Sequence, residues 1–178
     1  MISPGLLEQI HEAARERDAG VHMHVAQGER EAIQIEERYG AAETTVSVLD
    51  DVGLLGSDLL AAHCHGTTPA ERERMVEAGA RMVGCPSYIG AFDGIVPPMA
   101  HYAALGGTVG LGTDQAPGPG HHDMFRETRT AAILSKTDAT DPTAMPAWEA
   151  LALATVGGAR ALGIDDRVGT LEVGKQAD

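Results

Sequence analysis

With 178 residues, 43% of them hydrophobic, the chain has the length and the apolar content to form the core of one ordinary domain. Its 26 acidic residues against 13 basic ones give a formal charge of -13, which repels nucleic-acid phosphates and anionic lipid surfaces. No apolar run approaches the roughly 20 residues that a membrane span needs, and no signal peptide is visible. We therefore expect a cytoplasmic protein with neither nucleic acid nor membrane as a partner.

Helices and short apolar strands alternate in the predicted order of elements. Ser3-Pro4 and Thr68-Pro69 are helix-start signals. In chain order we predict a helix before residue 20, a strand over 21–25, helices over about 29–39 and 45–52, a strand over 59–64, a helix from 68 to about 79, a strand over 80–85, a helix over about 99–105, a strand over 108–114, and helices over about 123–136 and 147–162. The glycine pair at 157–158 is expected to permit close packing rather than to bind phosphate.

Strands that are separated by helices predict a parallel sheet, because a parallel neighbour is reached only through a crossover connection. This pattern alone leaves an open sheet and a barrel undecided. His24, Gln27, His63 and Asp114 fall at the C-terminal ends of predicted strands. That face carries the active sites of (β/α)₈ barrels, although open sheets also bind ligands at their carboxyl edge. We favour a barrel.

Two histidines on the first predicted strand are candidate metal ligands. His22 and His24 are two residues apart, so both point to the same side of the strand. Taken alone, such a pair is as well explained by hydrogen-bonded histidines near the surface. His63 and Asp114 strengthen the metal interpretation, because zinc and iron both accept imidazole and carboxylate ligands.

Other polar and thiol side chains are given no direct part in catalysis. His65 is interpreted as a loop residue, with contact to substrate as the alternative, and Glu127 as a solvated or structural charge. His121 and His122 follow the stretch 118–120, which is either a lid or an ordinary exposed loop. The only cysteines, Cys64 and Cys85, lack a C-x-x-C spacing and are expected to be buried reduced thiols.

Four segments together carry a family resemblance. The segments 24–27 (HVAQ), 61–64 (AAHC) and 111–114 (LGTD), in this order and spacing, resemble the cytosine deaminase and chlorohydrolase branch of the amidohydrolase superfamily, with its S-adenosylhomocysteine deaminase-like members. Residues 169–178 (GTLEVGKQAD) are similar to that branch's G-x-L-x-x-G-K-x-A-D segment. The resemblance implies the C-terminal half of a (β/α)₈ TIM-type barrel, about strands five to eight, over 1–164. Residues 165–178 would begin the return to a small β domain, so a truncated fragment is expected.

The resemblance also assigns roles to the residues at the strand ends. His24 is implied as a metal ligand after strand five, and His63 as the strand-six histidine that ligates metal or holds substrate. Asp114 is implied both to contact the metal and to accept a proton from the bound water. The implied metal is one zinc ion, with iron as the alternative. Asp114 and His63 are thus the expected catalytic residues, and His24 and Asp114 the expected metal ligands.

Two departures from the branch pattern affect this assignment. The strand-one H-x-H pair, which follows a proline-glycine turn in the family, is absent, so two further histidine ligands are expected from a missing N-terminal part. The isolated fragment is therefore expected to be inactive. The branch usually places glutamate three residues after the strand-five histidine, where this chain has Gln27. Glutamine cannot transfer a proton, so Gln27 is expected to bind substrate through its amide and to favour a ring with an amide-like N–H and C=O edge.

The implied activity is hydrolysis of a carbon–nitrogen bond other than a peptide bond, with deamination of an aminated heterocycle expected first (EC 3.5.4.-). Hydrolysis of a cyclic amide and removal of ring chloride are alternatives within the superfamily. An alternative of another class is a non-catalytic binding protein derived from the barrel. The expected partner is a small heterocyclic substrate, and a homo-oligomeric parent stays open.

Overall fold

The computed structural model describes residues 2–115 and 122–177, in which helices alternate with strands along the chain. Tertiary contacts divide the chain into two units, Met1–Arg81 and Met82–Asp178. Within the residues described, no helix combines the length and the apolar character that crossing a bilayer requires.

The first unit contains two strands, and each is followed by helix. Its described elements in chain order are α1 (Pro4–Arg15), β1 (Val21–Val25), α2 (Glu29–Tyr39), α3 (Thr45–Asp51), β2 (Leu59–His63) and α4 (Pro69–Glu77). Helix α4 begins where the sequence predicts, because the Glu71 N–H donates to Thr68 Oγ1 at 3.3 Å and the Thr68 N–H donates to Glu71 Oε2 at 2.7 Å. This reciprocal capping satisfies two donors at the helix start.

Strands β1 and β2 pair in parallel, as predicted. The register joins Val21 to Leu59 and Val25 to His63. Every residue of β2 is buried, whereas β1 is buried only at Val25. The core of this unit is built on that pair of strands and includes Val25, Val46, Leu49, Leu59, Ala61 and Met75.

The second unit also contains a parallel pair of strands. Its elements in chain order are β3 (Arg81–Gly84), α5 (Pro86–Phe92), α6 (Met99–Ala104), β4 (Val109–Leu111), α7 (Met124–Ala139), α8 (Ala147–Ala154) and α9 (Val156–Leu162). Met82 pairs with Val109, and Gly84 with Leu111. The parallel α/β pattern that the sequence predicts is therefore present in each unit.

Helix α9 lies directly on strand β4 because glycines line their contact. A Cβ atom on Gly110 would stand 3.1 Å from Gly158 Cα. A Cβ on Gly157 would stand 2.5 Å from the Val109 carbonyl oxygen, a distance that no side chain permits. The expectation that the 157–158 pair serves close packing is confirmed.

Three boundaries in the second unit differ from the prediction. Helix α5 was not predicted, because Pro86 was interpreted as a strand terminator, whereas it occupies the first turn of this helix. The helix predicted over 147–162 is broken at Thr155, whose φ of -123° and ψ of -97° are not helical. The strand predicted over 108–114 ends at Leu111, and Asp114 has a left-handed φ of 55°.

The segment after α9 folds back on itself, since residues 175–176 bond to residues 165–167. Lys175 Nζ donates to the Asp165 carbonyl at 2.7 Å, and the Gln176 N–H donates to the Arg167 carbonyl at 2.8 Å. Gly169 has a φ of +94°, and a Cβ there would stand 2.7 Å from Ala159 Cβ. The first glycine of the G-x-L-x-x-G-K segment thus serves both backbone conformation and packing.

Candidate functional site

Two imidazole rings lie side by side at the carboxyl ends of β1 and β2. The ring centroids of His24 and His63 are 4.9 Å apart, with the ring planes tilted by 48°. His63 is 1% exposed, whereas His24 is exposed to solvent. The parallel register produces this arrangement, because it sets His24 opposite Ala62 and places His63 one residue further along.

The backbone leaves the extended conformation at these strand ends. Ala26, His63 and Cys64 have φ values of 49°, 73° and 54°, in the left-handed region that non-glycine residues rarely adopt. The Cys64 N–H donates to the Val25 carbonyl at 3.0 Å, and Thr67 Oγ1 donates to the Cys64 carbonyl at 2.6 Å. The prediction that this strand extends to Cys64 is wrong by one residue, because the left-handed turn begins at His63.

A third imidazole, that of His65, lies close to this pair. Its ring centroid is 6.3 Å from that of His63, in an edge-to-face arrangement. A Cβ on Gly28 would stand 3.4 Å from His65 Nε2, so the ring rests against the turn after β1. His65 lies outside the strand, as predicted, but its position beside His63 was not expected.

Gln27 occupies the turn between β1 and α2. The residue is half-buried, and its backbone N–H donates to Glu31 Oε2 at 2.8 Å. The structure therefore places Gln27 three residues beyond His24, on the connection that leaves the carboxyl end of β1. Glu31 itself was not singled out from the sequence.

In the second unit, Asp114 follows the carboxyl end of β4. Asp114 Oδ1 accepts a hydrogen bond from the Gln115 N–H at 2.7 Å. Gln115 Nε2 in turn donates to the Tyr88 hydroxyl at 2.6 Å, and the Tyr88 ring stacks on Phe92 with centroids 4.7 Å apart. The residue after Asp114 is thereby tied to α5, the helix that the sequence analysis missed.

Both cysteines are buried and unbridged, as predicted. Burial raises the pKa of Cys85 to about 12, and the negative charges of Asp114 and Glu127 add to the rise against a hydrogen bond with the Asp114 backbone. Burial and the Glu31 carboxylate raise the pKa of Cys64 far above its ordinary value. Burial thus disfavours the reactive thiolate form of both cysteines.

Glu127 is fully buried, so the interpretation of a solvated charge is wrong and the structural one holds. Its Oε2 accepts a hydrogen bond from the Ser87 N–H, at the start of α5, at 3.1 Å. Glu127 Oε1 has no hydrogen-bond partner among the described residues. His122 is exposed before α7, whereas His121 and the stretch 118–120 lie outside the described residues.

The residues present suit a zinc ion. The imidazoles of His24 and His63 come from neighbouring strands, with ring centroids 4.9 Å apart, and imidazole nitrogen is a donor that zinc accepts. In the second unit, taken by itself, Asp114 offers a carboxylate after the carboxyl end of β4. Imidazole and carboxylate donors of this kind bind zinc.

Comparison with known proteins agrees with this geometry. The chain is 40% identical to 5-methylthioadenosine/S-adenosylhomocysteine deaminase of Moorella thermoacetica, over 99% of this chain and 41% of that protein. It is 38% identical to 5′-deoxyadenosine deaminase of Methanosarcina mazei, over 99% of this chain and 40% of that protein. The crystal structure of an adenosine deaminase from Xanthomonas campestris with bound zinc matches with a TM-score of 0.95 and 36% identity, over 100% of this chain and 40% of that one.

The chain thus spans about two-fifths of the length of these relatives. The family model that matches it covers residues 1–178, the whole length of the sequence. The chain belongs to the amidohydrolase family.

Proposed function

We propose that the protein containing this chain is a zinc-dependent hydrolase that removes the exocyclic amino group of an aminated heterocycle. In this proposal, residues 1–164 form about strands five to eight of its (β/α)₈ barrel, and residues 165–178 lead towards a small β domain. The observation that carries the proposal is the His24–His63 pair at adjacent strand ends, in a family whose similar members are named deaminases.

His24 and Asp114 are the proposed metal ligands in this chain, and two further histidines would come from elsewhere in the full-length protein. When bound, a zinc ion lowers the pKa of water towards neutrality. The same donor types also accept iron, but the zinc in the Xanthomonas campestris structure favours zinc. Zinc content of the purified full-length protein tests this assignment.

Asp114 is the proposed general base. Its carboxylate takes the proton that the attacking water loses, and the proton then passes to the departing amino group, which leaves as ammonia. His63 is buried beside His24, where its imidazole can hold the substrate ring and share in this proton transfer. An electron-poor ring carbon bearing an amino group is the site of attack.

Gln27 is the proposed substrate-binding residue on the turn after β1. Its amide donates and accepts hydrogen bonds but cannot shuttle a proton as glutamate would. An amide N–H suits a ring nitrogen of adenine, the base in the relatives' named substrates, and it equally suits the C=O edge of an oxo-substituted ring. We place adenine nucleosides first because of those relatives, with an oxo-substituted ring as the second substrate class.

Release of ammonia by the zinc-loaded full-length protein tests the function. 5′-Methylthioadenosine, S-adenosylhomocysteine and 5′-deoxyadenosine are the first substrates, with cytosine and guanine as representatives of oxo-substituted rings. Turnover of at least one of them is expected. Binding of these compounds without ammonia release, at full zinc occupancy, would show that the protein is a non-catalytic binder instead.

A further inference from the structure

A carboxylate from helix α2 closes the turn that follows strand β1. Glu31 Oε1 accepts the Ala26 N–H at 2.9 Å, and Glu31 Oε2 accepts the Gln27 N–H at 2.8 Å. The Thr45 hydroxyl also donates to Oε1, at 2.6 Å. Both carboxylate oxygens therefore hold successive backbone amides of one turn, and hydrogen bonds to an ionised acceptor are stronger than those between neutral groups.

The opposite side of the same turn is held by the chain after β2. The Gly66 N–H donates to the Ala26 carbonyl at 2.7 Å. A Cβ on Gly66 would stand 2.8 Å from that carbonyl oxygen, so the approach is possible only for glycine. Hydrogen bonds thus hold Ala26 on both sides, from its N–H to Glu31 and from Gly66 to its carbonyl.

These hydrogen bonds hold a backbone conformation that the turn would not keep without them. Ala26 has a φ of 49°, where its Cβ crowds the following carbonyl, and the residue would return to an extended conformation if its partners were lost. Such a change at Ala26 would redirect the chain immediately before Gln27. The conformation of this one residue therefore sets the direction in which the backbone enters Gln27.

We propose that Glu31 is a positioning residue for the reaction: its carboxylate fixes the turn so that the Gln27 amide is presented to the substrate ring. This inference rests on the proposed function, in which Gln27 contacts the substrate. Glu31 acts only through the backbone of Ala26 and Gln27. Glutamine at position 31 would keep the size of the side chain but offer one acceptor oxygen to two N–H donors, so one of the two backbone bonds is lost.

Hydrogen exchange of the turn amides tests their hydrogen bonds to Glu31 independently of any activity. In the full-length protein, Glu31→Gln should speed exchange of the Ala26 and Gln27 amides by about 10-fold, because a hydrogen bond to a charged group is lost. Glu36→Gln, an exposed change of the same kind on the same helix, should leave these amides unchanged. Thr45→Val removes a single donor to the carboxylate and should give a smaller rise, of about 2- to 5-fold. Equal exchange in all the variants would overturn the proposal.

A double-mutant cycle tests whether Glu31 affects the reaction through Gln27. With 5′-methylthioadenosine, Glu31→Gln should lower kcat/KM by about 10-fold, mainly through KM, at unchanged zinc content. In a Gln27→Ala background the same change should cost less than about 2-fold, because the group that Glu31 positions is already gone. Additive losses would show that Glu31 does not act through Gln27 and would overturn the proposal. A wild-type protein that deaminates none of the substrates would overturn the proposed function and this role. The exchange data would still show whether Glu31 holds the turn.

Discussion

Left-handed backbone recurs where the chain turns after its strands, at or next to the residues of the proposed site. Ala26, His63 and Asp114 all have positive φ, and each lies at the carboxyl end of a strand. A non-glycine residue in this conformation is disfavoured by roughly 1–2 kcal/mol, and it persists only where surrounding contacts hold it. Hydrogen bonds from Gly66 and Cys64 provide such contacts at the first two strand ends. The strain lets the chain turn sharply while its side chains stay at the strand ends.

At the residue scale, Asp114→Asn tests the general base. Asparagine can still offer an oxygen to a metal ion, but it cannot accept a proton from water. In the full-length protein we expect kcat to fall by about 10²- to 10⁴-fold while part of the zinc is retained. Asp138→Asn, an exposed change on α7, should leave both quantities unaltered. Near-normal ammonia release by Asp114→Asn with zinc bound would show that the base is another group.

Gln27→Glu separates a specificity role from a lost acid. If Gln27 holds the ring through its amide, an ionised glutamate loses the donor half of that contact, so KM for the native substrate should rise about 10-fold at constant zinc content. Gln9→Glu adds the same charge at an exposed position of α1 and should have no effect. A large rise in kcat/KM would instead show that Gln27 occupies the place of a missing proton donor.

The sequence placed His24, His63 and Asp114 at or just after strand ends, where the structure has them, but it did not reveal the groups that hold the turns there. That they form one site stays a prediction, made because the carboxyl ends of parallel strands share one face. The Glu31 contacts were not predicted, because a carboxylate that folds back onto amides four and five residues earlier leaves no periodic signal. Tyr88 was missed for a related reason: its helix begins at a proline that also reads as a terminator.

At the element scale, glycine decides how closely the helices and turns approach each other. Helix α9 contacts β4 through Gly157 and Gly158, and the turn after α9 contacts the same helix through Gly169. Helix order and parallel pairing were predictable, because hydrophobic periodicity and capping residues are local signals. The break at Thr155 was not, since no proline stands at this position to mark a helix end.

A pair of glycine substitutions measures this packing. Gly169→Ala and Gly174→Ala both place alanine at positive φ, +94° and +96°, which should cost each variant about 1 kcal/mol. A Cβ on Gly169 would also stand 2.7 Å from Ala159 Cβ, whereas nothing lies within 4 Å of one on Gly174. We expect Gly169→Ala to lose a further 1–3 kcal/mol, roughly, seen as a Tm several degrees lower in thermal unfolding of the full-length protein. Equal Tm values would contradict the steric explanation.

At the scale of the whole molecule, the proposed reaction needs more than this chain. A catalytic zinc ion usually takes three protein ligands and an open position, and our proposal assigns only two ligands, His24 and Asp114, to this chain. The relatives that it matches are about two and a half times as long, since it spans 40–41% of them. Activity is therefore a property that we assign to the full-length protein.

The isolated 178-residue chain should consequently bind zinc weakly and release no ammonia. Two or three donors without the remaining histidines give a site that loses its metal on dialysis, and metal affinity depends strongly on the ligand count. Zinc content after dialysis, compared with that of the full-length protein, measures this directly. His24→Ala in the isolated chain is the matched control, because weak residual binding at the proposed site should fall further, whereas adventitious binding should not. Stoichiometric zinc together with turnover by the isolated chain would show that it holds a complete site, and the proposed contribution of histidines from elsewhere would then be wrong.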